Sequence, residues 1–395
     1  MKTKFKAILH PRWRGAVFFF FFWAMVASFG PFKNVYYKQL GLSGFQIGIL
    51  AAIPAPAVLF VAPYVSLLAD RYRRRRTILV WLIGLSAVLI VLLGIPETFL
   101  ALLPVSILLS LTTAPFGPLS TGLIARMAAR RHSDFGKQRL WGSFSFALVS
   151  IICGALWGRL GYNWMFITGG LLSLPVLLLA LTLEEIPPPE TTEQAPPSLL
   201  RAWQDKGLIA LLVATFLIGI AESLYINFTG VYMDSLEGGK LLVGAIGGLG
   251  ALVEMPLMHY NGAITRKLGP RRIIILGYLI EALALFAYAL LRNPWLLLLF
   301  STLKGVGFGL YYVATVRLAD TRAPGNWSAT LQSLVTAAWW GLAPLITMPL
   351  GGWLADRWGL PAIFAAGGVA ALLGLLLLSI ADLSGKFAET PLLTS

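Results

Sequence analysis

Cysteine is almost missing from this chain: Cys153 stands alone among 395 residues, so no internal disulfide can form. Histidine is nearly as scarce. His10, His132 and His259 are scattered without the spacing of a metal site, and no Gly-x-x-x-x-Gly-Lys-Ser/Thr loop is present to cradle nucleotide phosphates. These absences argue against a metalloenzyme and a nucleotide-driven pump, and neither metal nor cofactor is expected. Charge is thin as well. Asp, Glu, Lys and Arg make up 12% of the sequence, against roughly a quarter in an ordinary soluble domain. Acids are the scarcer sign, 17 against 31 Lys and Arg.

What the chain has instead is hydrocarbon. Hydrophobic residues are 57% of the total and the mean hydropathy is +0.78. They gather into runs of about 18 to 27 residues, and a bilayer core of ~30 Å takes about 20 helical residues to cross. Twelve runs are expected to span, over residues 15–38, 43–69, 77–95, 99–125, 139–160, 163–183, 207–233, 240–264, 272–291, 294–318, 328–354 and 359–381. The first follows a basic start but lacks a small-residue cleavage site and is too long for a signal peptide, so it reads as a retained helix.

The basic residues sort by position. With the N-terminus on the cytoplasmic side, 24 of the 31 Lys and Arg fall on that side, the pattern of positive-inside topology. The net charge of +14 therefore reads as topology and not as a nucleic-acid footprint. The expected location is a bacterial inner membrane, with both termini cytoplasmic, lipid around the chain and a monomer as the working unit.

The sequence also repeats itself. At an offset of 196 residues Val35-Tyr36 corresponds to Val231-Tyr232, Gly48 to Gly244 and Arg75-Arg76 to Arg271-Arg272; at 198, Trp141 corresponds to Trp339 and Gly154 to Gly352. A finer repeat closes the second run of every three: Ser66-x-x-x-Asp70-Arg71-x-Arg73, Gly154-x-x-x-Gly158-Arg159-x-Gly161, Gly262-x-x-x-Arg266-Lys267-x-Gly269 and Gly352-x-x-x-Asp356-Arg357-x-Gly359. Four three-helix units of alternating orientation are implied, nested in two halves. The expected fold is all-α and integral to the membrane, with twelve transmembrane helices in two pseudo-symmetric six-helix bundles, residues 1–185 and 207–395. A polar cytoplasmic linker at 186–206, stiffened by Pro187 to Pro189 and Pro196-Pro197, joins them.

The loop after the second run, SLLADRYRRRR at residues 66–76, resembles the signature loop of the major facilitator superfamily, Gly-x-x-x-Asp-Arg/Lys-x-Gly-Arg/Lys-Arg/Lys. Ser66 and Arg73 stand at its two glycine positions. The resemblance implies a major facilitator fold, in which Asp70, Arg71 and Arg75 form a conformational-switch loop, Asp70 accepting from helix amides or a neighbouring arginine. A plain cationic anchor is the simpler reading of the same residues. SDFGKQRLWGS (133–143), GALVEMPLMHY (250–260) and the Trp327 to Thr330 segment are similar to the phenylpropionate-permease and lactose-permease-like proton symporters. In the lactose permease the arginine matching Arg139 belongs to the sugar site and a cysteine beside the sugar takes the place of Ser143. That permease also pairs its arginine with a glutamate, and no acid stands near Thr121 and Gly122 here.

Ionisable groups in hydrocarbon cost at least about 2.5 to 3.5 kcal/mol each, so those retained pair, line a cavity or carry protons. Four lie deep: Glu222, Glu254, Glu281 and Lys304. At ~1.5 Å per residue, Glu222 and Lys304 sit about 22 and 21 Å from the inner ends of their runs, a shared depth that predicts a pair, while Glu254 and Glu281 sit at about 15 and 14 Å. The family architecture implies that the first, fourth, seventh and tenth helices line the cavity, that the eighth borders it, and that the ninth is peripheral. Glu254, between Gly250 and Pro256, is the first choice of proton carrier and Glu222 the second. A structural reading has the acids satisfied by tyrosines, His259 or Asn261. Lys33, Asn34, Lys304, Arg139, Ser143, Tyr225, Asn227 and Trp340 are the expected substrate-cavity residues.

These features lead to a non-enzymatic expectation: proton-coupled symport of a small organic solute such as a sugar, nucleoside or aromatic acid, by alternating access. A proton-coupled exporter of drugs or metabolites and a lipid or lysolipid transporter are the alternatives. Against export, antiporters of the superfamily carry a Gly-Pro in the fifth helix, and residues 141–160 contain no proline.

Overall fold

The computed structural model describes residues 13–186, 205–321 and 328–383. The linker's residues 187–204 lie outside them. Among the described residues twelve helices are long and apolar enough to cross a membrane. They are α1 (Arg14–Gln39), α2 (Gly44–Arg71), α3 (Arg75–Leu92), α4 (Phe99–Arg130), α5 (Phe135–Leu160), α6 (Asn163–Ala180), α7 (Lys206–Ser235), α8 (Gly239–Leu268), α9 (Pro270–Leu290), α10 (Pro294–Thr321), α11 (Thr330–Trp358) and α12 (Leu360–Leu383). Each overlaps one expected run. Their outward residues are apolar, Trp81, Leu100, Leu290 and Leu383 among them, which suits hydrocarbon and not water.

Side-chain chemistry sets several helix starts. Ser43 caps α2 and forms a reciprocal capping box with Gln46, while Asp134 and Asp205 accept from the amides of Lys137 and Leu208 at the starts of α5 and α7. Among the described residues two helices contain a π-helical stretch. In α2 the imino acids Pro54 and Pro56 lack amide hydrogens, and Ala57–Val61 winds as a π-helix directly after them; Ala337–Leu342 of α11 does the same.

The fourfold repeat has a backbone meaning. Its last positions, Gly161, Gly269 and Gly359, carry φ of +87°, +81° and +83°, with ψ between 148° and 166°, a region that is essentially glycine-only. Arg73 occupies the equivalent place in the first repeat and also has positive φ, +52°. It ends α2 through paired bonds, Arg74 N to Ala69 O and Arg73 N to Asp70 O, the Schellman arrangement that usually takes glycine.

By contact the described residues group into two compact units. The first gathers α1, α2 from Pro56 onward, α3 to α6, and α8 as far as Gly248. There α1 packs on α5 and α6, and α3 on α6. Gly244 and Gly248 of α8 lie so close to α5 that an added Cβ would press on the carbonyls of Ser150 and Ala147.

The second unit gathers Ser43–Ala55 of α2, α7, α8 from Leu249, and α9 to α12. Within it α9 packs on α10 and α12, and α7 on α12. The start of α2 meets α11 through Gly44, Gly48 and Gly352, where a Cβ on Gly48 would strike the Met348 carbonyl. Asp356 seals this crossing, its carboxylate accepting from the Gly44 and Phe45 amides at 2.6 and 2.8 Å. Glycines paired by the internal repeat, Gly48 with Gly244 and Gly154 with Gly352, thus serve matching crossings, one in each unit.

Candidate functional site

The second unit holds charge deep among its helices. Glu222 on α7 and Lys304 on α10 are 2% and 6% exposed, and Lys304 Nζ donates to Glu222 Oε1 at 2.6 Å. The ammonium also lies 4.7 Å from the ring centroids of both Tyr225 and Phe308, a cation–π cradle that substitutes for some of its lost hydration. Tyr311 donates to Glu222 Oε2 at 3.4 Å. Behind it Trp339 stacks on the Tyr311 ring, with centroids 5.5 Å apart. A carboxylate, an ammonium and an aromatic wall are therefore built from α7, α10 and α11.

Glu281 on α9 joins this cluster, which depth arithmetic did not foresee. It is fully buried and faces the Glu222 carboxyl within side-chain hydrogen-bonding range, with Lys304 near enough to act on it. The expected satisfaction of this acid by neighbours does not occur: neither Glu281 oxygen has a donor among the described residues. Asn261 gives its amide hydrogens to the carbonyls of Gly309 and Leu310 at 3.1 and 2.9 Å.

The other candidates of this unit differ in burial and in distance from this cluster. Tyr225 is buried and its hydroxyl meets that of Tyr288 at 3.5 Å. Asn227, half-buried two residues on, donates to the Ser223 carbonyl. Trp340 is 37% exposed and stacked on Trp339. Glu254 is half-buried on α8, where the α8 backbone packs on Gly309 of α10. Gly305, Gly307 and Gly309 all serve such close contacts, against Gly250, Gly277 and Glu254.

In the first unit Arg139 lies over the rings of Trp23 and Phe19, at 4.9 and 5.6 Å from their centroids. Ser143 is half-buried one turn further along the same face of α5. On α1, Lys33 is half-buried and Asn34 buried.

The arginine-rich ends of the first unit carry the remaining charge pairs. Asp70 takes both ends of the Arg75 guanidinium and accepts from Arg126 at 3.2 Å. Of the two partners the sequence allowed it, a neighbouring arginine is the one found within this unit, whereas Arg71 is exposed. Glu185 accepts from the amides of Arg75 and Arg76 at 2.8 and 2.7 Å, capping α3. Glu184 pairs with Arg131 and with Arg14.

Twelve long apolar helices among the described residues, with an ion pair buried between two of them, define a multi-pass membrane protein. Comparison with known proteins narrows the class. The chain belongs to the MFS_1 like family, which it matches over residues 12–366, and is a secondary transporter of the major facilitator type. It is 26% identical over 375 residues to the maltose permease of Geobacillus stearothermophilus, covering 92% of this chain and 94% of that one. It is 28% identical over 302 residues to the multidrug resistance protein MdtG of Serratia proteamaculans, covering 71% of each. The fold is shared with the solved nucleoside transporter NupG, with a TM-score of 0.79, 16% identity, and coverage of 95% of this chain and 99% of that one.

Proposed function

We propose that the protein takes up a small organic solute, a sugar, nucleoside or aromatic acid, driven by protons entering with it. The observation that carries the reading is the Glu222–Lys304 pair, retained at 2.6 Å in a membrane-buried interior. Such a pair is a weak device for stability alone, since desolvation offsets much of its attraction. It is useful where binding of a solute or proton exchanges its partners. Lys304, Tyr225, Asn227 and Trp340 from one bundle, with Lys33, Asn34, Arg139 and Ser143 from the other, would contact the solute. Glu254 and Glu222 would carry the proton. The bundles proposed for residues 1–185 and 207–395 would alternate the solute's access across a bacterial inner membrane with both termini cytoplasmic, Asp70, Arg71 and Arg75 exchanging contacts between states.

The test is accumulation in proteoliposomes under an inward proton gradient, screened across sugars, nucleosides and aromatic acids. One class accumulates, and a protonophore abolishes it. Glu254→Gln keeps solute binding and loses solute-coupled proton uptake; unchanged uptake removes Glu254 from the mechanism. The likeness to MdtG favours a second reading, proton-driven export, which would appear as proton entry driven by an outward solute gradient. The proline-free α5 weighs against it.

A further inference from the structure

The hydroxyls of the tyrosines around Glu281 are already committed. Tyr288 donates to the Leu297 carbonyl at 2.9 Å and Tyr278 to the Ala214 carbonyl at 3.2 Å. Tyr311 donates to Glu222, and Tyr225 meets Tyr288. Lys304 gives its hydrogen bond to Glu222 and turns other faces to two rings. From α12, which also packs on α9, the acid among the described residues is Asp382, held by Arg271 at 2.9 Å.

The side chain within hydrogen-bonding reach of Glu281 is the Glu222 carboxyl, with Lys304 near both. Two ionised carboxylates are both acceptors and cannot bond to each other. Ionised, the three groups Glu222, Glu281 and Lys304 also leave one negative charge uncompensated in hydrocarbon, which is costly. A single added proton removes both faults. It creates the missing O–H donor between the carboxyls and brings the cluster to neutrality.

We infer that Glu281 and Glu222 share one proton beside Lys304, making a three-group proton site inside the second unit with Glu281 as a proton-binding residue. Loss of that proton returns the excess negative charge, drawing Lys304 toward both carboxylates and away from any solute it holds. This inference rests on the proton-coupled reading for its role in transport, but the shared proton itself does not.

Infrared difference spectroscopy on the reconstituted protein tests the site directly, reading the C=O stretch of a protonated buried carboxyl. Wild type is expected to show the band and Glu281→Gln to lose it. Glutamine is close in size, stays neutral and can donate to Glu222, so folding should survive. Equilibrium counterflow, which needs binding and rocking but no net proton movement, is the control: Glu281→Gln retains it and loses proton-driven accumulation. A band of unchanged intensity in Glu281→Gln, or accumulation at wild-type level, overturns the inference. A band removed by Glu281→Gln in a protein that accumulates no solute under a proton gradient defeats the proton-coupled reading and leaves the shared proton standing.

Discussion

The two units bury charge in different ways. In the first, the acids Asp70, Glu184 and Glu185 sit at helix ends, each met by arginines or helix amides, and the cation Arg139 rests on aromatic faces. In the second, Glu222 and Glu281 sit mid-helix against one lysine. The end-of-helix acids are satisfied as they stand. The mid-membrane cluster is one proton short of satisfaction, and that deficit makes it fit for coupling. What the units share is mechanical: glycine crossings at Gly48 and Gly352 in one, and at Gly244 and Gly154 in the other.

The harshest way to break the contrast is Lys304→Met, which leaves the acids buried without a cation. Breaking a buried pair from one side costs about 3 to 5 kcal/mol, so thermal unfolding in detergent should drop sharply, and the double change with Glu222→Gln should recover most of the loss. Next come the crossings. Gly48→Leu drives a side chain into the Met348 carbonyl and Gly244→Leu into that of Ser150, and overpacking of this kind costs about 1 to 3 kcal/mol. Similar drops for both variants would show that the crossings are equivalent; a harmless Gly244→Leu would break the symmetry. The smallest effect has the opposite sign. Arg73→Gly relieves a left-handed residue strained by about 1 to 2 kcal/mol, raising the melting temperature, whereas Gly161→Ala lowers it.

Much of this was legible in the sequence. The twelve spans follow from run length, and the Glu222–Lys304 contact from two depths that agree. Glu281 was not legible as their neighbour, because depth counted from the start of a run assumes that helices begin level. They do not: α7 has 30 residues and α9 has 21, so equal residue counts mark unequal heights, and tilt adds to the error. The glycine repeat was visible as a pattern, but its cause was not, since φ cannot be read from residue type once Arg73 also takes a positive value. The commitment of the tyrosine and Asn261 hydrogens to carbonyls could not be read either. Those bonds depend on which face each helix turns to the next.

The central claim is that proton coupling resides in the mid-membrane acids of the second unit. Solute-evoked proton entry into proteoliposomes, normalised to counterflow rate, tests it most directly when Asp70→Asn and Glu184→Gln are set beside Glu222→Gln. The account predicts that the first two leave the ratio at the wild-type value, even where both rates fall, and that Glu222→Gln abolishes it. A ratio lost in Asp70→Asn and kept in Glu222→Gln would contradict the account.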